Sequence, residues 1–315
     1  MIYAGIDLGG TNIAAGLVDE SGRILIQDSR PTRGERGFPA IVADMANLVS
    51  ELAERHGCGR SGLAGLGIGV PGTVDDQKGS AIYLNNLDMD NKPLRAEIQR
   101  HLDLPVRLGN DGDCAALAET LAGAARGAHS ALMVTLGTGV GGGIVIGGKL
   151  FSGFNQAAGE FGHMVIARDG EPCTCGRRGC WEAYASASAL VKQARDAVSI
   201  HPGSAMLSLA GGNPAKIDGR TIFAAARQGD PAATQVLAAY QLWLAEGIAN
   251  LVNIFQPEIV VVGGGLSAQG DFLLDPVRRE VANRVYGRDL MRQSAIRAAS
   301  LGNDAGIIGA AMLSV

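Results

Sequence analysis

Cys173, Cys175 and Cys180 are spaced C-x-C-x4-C, and His163 stands ten residues upstream. Three thiols and one imidazole are the ligand set of a closed tetrahedral zinc site. Glu160 and Glu182 flank that set in sequence, so the segment reads as a rigid metal floor beneath a polar ligand. A disulfide and inert buried thiols are the competing explanations. A disulfide needs an oxidising compartment, and the opening residues MIYAGIDLGGT show neither the basic region nor the apolar run of a secretory signal. The five cysteines are an odd number, and Cys58 and Cys114 lie far along the chain from the other three. Ligand type and spacing together favour zinc.

A second chemistry is written in glycine turns. Asp7 to Thr11 read D-L-G-G-T, an acid followed by a tight turn. Backbone N–H groups at such a turn, with the hydroxyl of Thr11, can hold phosphate oxygens, and Asp7 can orient a hydrated Mg²⁺. An ordinary hairpin turn would look the same in isolation. Gly137, Thr138 and Gly139 repeat the turn in the second half. Gly263, Gly264 and Gly265 follow the apolar run PEIVVV and would let an adenosine approach the backbone, or would only end a strand. Asn110 and Asp111 close the strand-like PVRLGND just before a helical stretch. Either residue suits an N-cap, and an acid at a strand's carboxyl end also suits a general base for a substrate hydroxyl.

The elements that must position these groups alternate between strand and helix. IYAGIDLGG, IAAGLVDE and RILIQDSRP read as three strands. Residues 38–56 carry Ile41, Met45, Leu48, Val49 and Leu52 at helical spacing. LAGLGIGVPG and PVRLGND read as strands, PLRAEIQRHL and CAALAETLAGA as helices. The pattern restarts with ALMVTLGTG and GGIVIGGKLF, passes the cysteine segment, and continues through a helix-rich stretch at about 183–255 that ends in one long apolar helix. PEIVVVGGGLS is a further strand and turn, and AGIIGAAMLSV a final helix. IDLGGTNIAAGLVDESGRIL and VTLGTGVGGGIVIGGKLF echo each other as strand, glycine-threonine turn, strand, turn, strand. A duplicated β-β-β-α-β unit would place two phosphate turns on facing lobes, as a nucleotide requires.

The 315 residues suffice for two domains, and 47% apolar residues is ordinary for a globular chain. No apolar stretch approaches the ~20 residues needed to span a bilayer. A net charge of -4 and a pI near 5.8 argue against non-specific nucleic-acid binding. A soluble, cytoplasmic protein with no membrane or nucleic-acid partner is expected. The 46 glycines gather at GIDLGGT, GLGIGVPGT, LGTGVGGGIVIGG and VVGGGLS, as a backbone-lined cleft for an oxygen-rich ligand would require.

The segments D-L-G-G-T, G-V-P-G, G-N-D-G-D-C-A-A-L-A-E, L-G-T-G-V-G-G-G-I, G-E-F-G-H and C-x-C-G-x-x-G-C-W-E occur in this order along essentially the whole chain. Together they resemble the ROK family of sugar kinases and related repressors. The resemblance implies an α/β protein of the actin-like, hexokinase-type ATPase fold, with two lobes each built on a β-β-β-α-β unit and an active-site cleft between them. It implies a small lobe at 1–125, to which a C-terminal helix at about 303–315 returns, and a large lobe at 126–302 with a zinc-binding insert at 160–182. Asp111 would be the base that takes the proton of a sugar's 6-hydroxyl during in-line transfer of the γ-phosphoryl group, with lobe closure excluding water. Asn110, Glu160, His163 and Glu182 would bind the sugar hydroxyls, with Gly72 and Asn86 completing the pocket. His163 would place one ring nitrogen on a structural Zn²⁺ and turn the other toward the sugar. ATP would be gripped by Gly9, Gly10, Thr11 and Asn12 together with Gly137, Thr138, Gly139, Gly264 and Gly265, and Mg²⁺ would bridge its phosphates near Asp7. Many members carry lysine after D-x-G-G-T where this chain has Asn12.

An ATP-dependent hexokinase acting on glucose is the leading expectation, since the E-F-G-H and C-G-x-x-G-C-W-E-x-Y-A-S stretches most resemble bacterial glucokinases of the family. N-acetylmannosamine or N-acetylglucosamine kinase is the rival. A sugar-sensing repressor is disfavoured by the acidic charge and by a first strand that begins at Ile2. A sugar-binding protein without catalysis is disfavoured by the presence of Asp111. The long helix near 232–255 reads as core rather than interface, and the family implies a homodimer or homotetramer.

Overall fold

The computed structural model describes residues 1–84, 87 and 89–315. In chain order the elements begin with β1 (Ile2–Leu8), β2 (Asn12–Asp19), β3 (Ile24–Pro31), α1 (Phe38–His56), β4 (Leu63–Val70), β5 (Gly72–Asp75) and β6 (Ser80–Leu84). They continue with α2 (Leu94–Gln99), β7 (Val106–Asn110), α3 (Asp111–Leu121), β8 (Ser130–Leu136), β9 (Val140–Ile146) and β10 (Lys149–Leu150). Next come α4 (Glu182–Ala185), α5 (Ala187–Ile200), α6 (Ala205–Leu209), α7 (Gly219–Arg227) and α8 (Pro231–Phe255). The chain closes with β11 (Ile259–Gly263), α9 (Asp271–Arg284), β12 (Ala295–Ala298) and α10 (Asp304–Met312).

These elements form two compact units. One comprises Met1–Met133, Gly143–Gly159 and Ser300–Val315, the other Val134–Gly142 and Glu160–Ala299. The first unit is built on a sheet of order β3-β2-β1-β4-β7. β1 pairs antiparallel with β2 and parallel with β4, and β4 pairs parallel with β7. β1 and β4 are apolar on both faces because helices cover both sides of a parallel core. α1 buries the stripe of Ile41, Met45, Leu48, Val49 and Leu52 against one face and stops at Gly57. Gly57 takes the left-handed conformation and donates its N–H to Ala53 and Glu54.

On the other face α10 lies against β1, β4 and α3. The sequence GIIGAAM makes that approach possible. A Cβ on Gly67 of β4 would overlap the Ala310 carbonyl, and one on Gly309 would overlap the carbonyl of Cys114. Glycine here removes the side-chain layer, so helix and sheet meet backbone to backbone. Glu119, 1% exposed, then ties the approach to α10 into this unit. Its carboxylate accepts from the N–H groups of Ser300 at 2.8 Å, Leu301 at 2.9 Å and Ala124 at 2.6 Å. A buried carboxylate survives only when so satisfied.

The second sheet runs β10-β9-β8-β11-β12. Matched in chain order, β8, β9, β10, β11 and β12 hold the same places as β1, β2, β3, β4 and β7 of the first sheet. The echo between the two glycine-threonine segments is therefore a repeated topology. In the second unit α8 supplies the core through Tyr240, Leu244, Ile248, Leu251 and Val252. Trp181, fully buried, packs its ring where a side chain on Gly247 of α8 would stand and donates its Nε1–H to the Trp243 carbonyl at 2.8 Å. That anchor fixes the residues immediately before Glu182.

Candidate functional site

Within the first unit the expected residues converge at the carboxyl ends of β1 and β7. The turn after β1 is closed by the Gly9 N–H donating to Asn12 at 2.8 Å. Thr32, fully buried just past β3, locks it from behind. Its hydroxyl donates to the Gly9 carbonyl at 2.6 Å and its N–H to the Thr11 carbonyl at 3.0 Å. Thr11 and Asn12 are left exposed. Thr32 carried no signal in the sequence, since its partners lie more than twenty residues away.

Asn110 and Asp111 divide the two roles that either might have taken. Asn110 is the N-cap of α3, and its Oδ1 accepts from Gly112 at 2.8 Å and Asp113 at 3.4 Å. Its Nδ2 donates to the Gly72 carbonyl at 2.9 Å, which brings β5 to the same place. A side chain on Gly72 would overlap the Tyr83 carbonyl across the β5–β6 hairpin. Asp111 begins α3 with its side chain open to solvent. Protein crowded around it still raises its carboxyl above the usual carboxylate range, against the opposing hydrogen bond from Gly112 at 2.8 Å. Asp7 is raised to about 6, first by burial and then by the charge of Asp111. Beneath the two acids sits Cys114, whose thiol is pushed well up by burial and by Asp113, Asp7 and Asp111. It is a packing residue, with Sγ 3.1 Å and 3.2 Å from where side chains on Gly69 and Gly109 would begin. Asn86 lies outside the described residues.

Within the second unit, one ligand atom each from His163, Cys173, Cys175 and Cys180 lies within 4.8 Å of the others. Cys173 Sγ is 3.7 Å from His163 Nδ1, and Cys175 Sγ is 3.6 Å from Cys180 Sγ. Metal–sulfur and metal–nitrogen bonds of about 2.3 and 2.0 Å in a tetrahedron put ligand atoms roughly 3.5–3.8 Å apart. The donor set therefore fits a four-coordinate ion, and all five cysteines are free thiols. The knuckle is shaped by backbone. Cys173 N–H donates to Arg177 at 2.9 Å, Gly176 N–H donates to Cys173 at 3.0 Å, and Gly176 adopts φ 87° to turn the chain. His163 Nδ1 faces the sulfurs, while Nε2 faces Glu160 Oε2 at 4.0 Å.

Glu182 points two ways. Oε2 accepts from the Val140 N–H at 3.0 Å, directly after the Gly137–Thr138–Gly139 turn, and Oε1 lies 3.7 Å from Cys173 Sγ. The turn closes on itself through Gly137 N–H to Gly139 at 3.0 Å, and Ala187 N–H donates to the Gly137 carbonyl at 2.9 Å. Gly264, at φ 83°, presses on the backbone of Leu136 at the root of this turn. A Cβ on Gly265 would meet open space. Close packing thus accounts for glycine at 264, and no such contact accounts for glycine at 265.

The sequence matches the ROK family over residues 3–315. The chain belongs to that family. It is 39% identical to the glucokinase of Streptomyces coelicolor over 98% of this chain and 96% of that protein. It is 30% identical to the xylose repressor of Bacillus subtilis over 97% of this chain but 74% of the repressor. The fold superposes with a TM-score of 0.84 on a ROK family glucokinase from Streptomyces griseus crystallised with glucose and AMPPNP, at 38% identity and 99% coverage of both chains. The architecture is thus the actin-like ATPase fold of the hexokinase-type members of the family.

Proposed function

We propose that this protein is an ATP-dependent glucokinase that transfers the γ-phosphoryl group of ATP to the 6-hydroxyl of glucose. The observation that carries the proposal is Asp111, a carboxylate with a raised proton affinity at the start of α3, in a chain whose full-length relatives are glucokinases. Phosphoryl transfer asks a protein for positioning, charge stabilisation and a base, and little covalent chemistry. Asp111 accepts the 6-hydroxyl proton. Its elevated pKa brings it nearer to working pH, which favours proton transfer. Asn110 holds the start of α3 and the Gly72 strand in register, so the base is presented on a rigid element.

Glu160, His163 and Glu182 are assigned to the sugar hydroxyls. Gly9, Gly10, Thr11 and Asn12, with Gly137, Thr138, Gly139, Gly264 and Gly265, are assigned to ATP. Asp7 is assigned to Mg²⁺, which neutralises charge on the β- and γ-phosphates when bound. The His163, Cys173, Cys175 and Cys180 set is assigned to a structural Zn²⁺ that fixes the ring of His163. Four protein ligands would complete a tetrahedron around such an ion and would leave no position for a reacting water. We further assign the protein to the cytoplasm as a homodimer or homotetramer. No helix among the described residues is long and apolar enough to cross a membrane.

A coupled assay of ADP release with Mg²⁺ and ATP tests the proposal across glucose, mannose, fructose, N-acetylglucosamine and N-acetylmannosamine. Turnover dominated by glucose is the expected result. Dominance of an N-acetyl sugar would overturn the substrate, and silence on every sugar would overturn the activity.

A further inference from the structure

We infer that Glu182 is a positioning residue for the nucleotide as well as a sugar contact, so that the cysteine knuckle, the sugar site and the second phosphate turn are joined through one carboxylate. The inference rests on the glucokinase reading given above. Glu182 follows Trp181 directly, and Trp181 is locked into α8. Cys180 is one of the metal-ligand set. The carboxylate therefore has little freedom at its root. Its Oε2 accepts from the Val140 N–H at 3.0 Å, and its Oε1 faces Cys173 Sγ at 3.7 Å and the Thr174 hydroxyl at 3.5 Å.

The same Oε2 occupies the space that a side chain on Gly139 would need. The turn and the acid are thus fitted to each other, and glycine at 139 is the condition for that fit. Two hydrogen bonds hold the turn to the segment that follows the knuckle. One is the Val140 N–H to Glu182, and the other is the Ala187 N–H to the Gly137 carbonyl at 2.9 Å. The second uses only backbone and does not depend on the Glu182 side chain. The first depends on the Glu182 side chain. Without it the Val140 N–H has lost its acceptor, and the turn that must present its backbone to phosphate is held at one side only.

What the turn needs from Glu182 is an acceptor oxygen at the right reach, whatever its charge. Glu182→Gln keeps the oxygen and the length. Glu182→Asp keeps the charge but is one methylene too short. Binding of AMPPNP with Mg²⁺, measured by calorimetry without sugar, separates them. The Gln variant should hold AMPPNP within about threefold of wild type, while the Asp variant weakens by about tenfold, as loss of one hydrogen bond implies. Zinc content, measured alongside, should match wild type in both, and thermal unfolding should show both folded, with the Asp variant lowered by no more than the loss of one hydrogen bond implies. Equal AMPPNP affinity in the wild type and the Asp variant would overturn the inference. So would equal weakening in both variants, which would make the charge itself the determinant. Failure of the wild type to bind AMPPNP at all would instead overturn the glucokinase reading.

Discussion

The turn after β1 and the turn after β8 occupy the same place in two sheets of the same strand order, yet they are built from opposite materials. The first is backed by acids. Asp7 stands at its root with a carboxyl raised to about 6, and Asp111 is near enough to contribute to that rise. Its frame is locked by a neutral hydroxyl, that of Thr32. The second has no acid at the position matching Asp7, where the chain has Thr135. Its frame is locked by a carboxylate oxygen of Glu182 and by the approach of Gly264 to Leu136. The same turn is thus furnished differently in the two sheets, with acids of raised proton affinity beside the first and a carboxylate acceptor brought to the second from a later segment. Repetition fixes where a turn falls, and the side chains brought to it from elsewhere in the fold decide what it can hold.

The sharpest way to break this comparison is to remove the base from the acidic side. Asp111→Asn keeps the N-cap at Asn110 and the hydrogen-bonding shape of the side chain. It should lower turnover by about a hundred- to ten-thousandfold while glucose binding by calorimetry and zinc content stay as in wild type. Undiminished turnover would remove Asp111 from the base role.

The second largest effect belongs to the other turn. Gly264→Ala should cost about 3 kcal/mol or more of stability in denaturant unfolding, because its Cβ must enter the Leu136 backbone and its φ is positive. Gly265→Ala, facing open space, should change stability little. Similar costs at the two positions would show that the packing difference between them is not real.

Asp7 distinguishes the turns by pH. Its folded pKa is raised from 3.8 to about 6, so the folded state binds the proton more tightly than the unfolded chain. The stability it contributes is complete below the unfolded value and is lost as pH rises through the folded one. Asp7→Asn stays neutral, so metal-free Asp7→Asn should be more stable than wild type above pH 6 by on the order of 2 kcal/mol, with the gap closing below about pH 4. Thermal unfolding across that range checks it, and a gap that does not vary with pH would contradict the buried-acid account.

The smallest effect is expected at the knuckle. Cys175→Ser should lose zinc and weaken glucose binding by about tenfold through the freed ring of His163. Retention of both metal and affinity would contradict the tetrahedral assignment.

The strands and helices that border the site were legible in the sequence because their apolar periodicity is strong, as in α1, β4 and α8. What lay beyond it were elements with mixed surfaces. The β5–β6 hairpin reads in sequence only as a turn, and it is the close backbone pairing at Gly72 that makes it a hairpin. α9 carries Pro276 inside it and interrupts its apolar residues with charged ones. β12 is a four-residue edge strand containing Arg297. At the site, motif spacing named Asp7, Asp111 and the cysteine set. It gave no hint of Thr32 or Glu119, because their partners are distant in sequence, with Glu119 meeting Ser300 across 181 residues. It offered a cap at Asn110 or Asp111 without choosing between them, and it showed neither the bond from Asn110 to Gly72 nor the reach of Glu182 back to Val140.

The most direct test of the central claim is to incubate the wild-type protein with glucose, ATP and Mg²⁺ and to quantify glucose 6-phosphate against ADP. The account predicts one glucose 6-phosphate for each ADP. ADP formed without sugar phosphate, or phosphate carried at another hydroxyl, would contradict it.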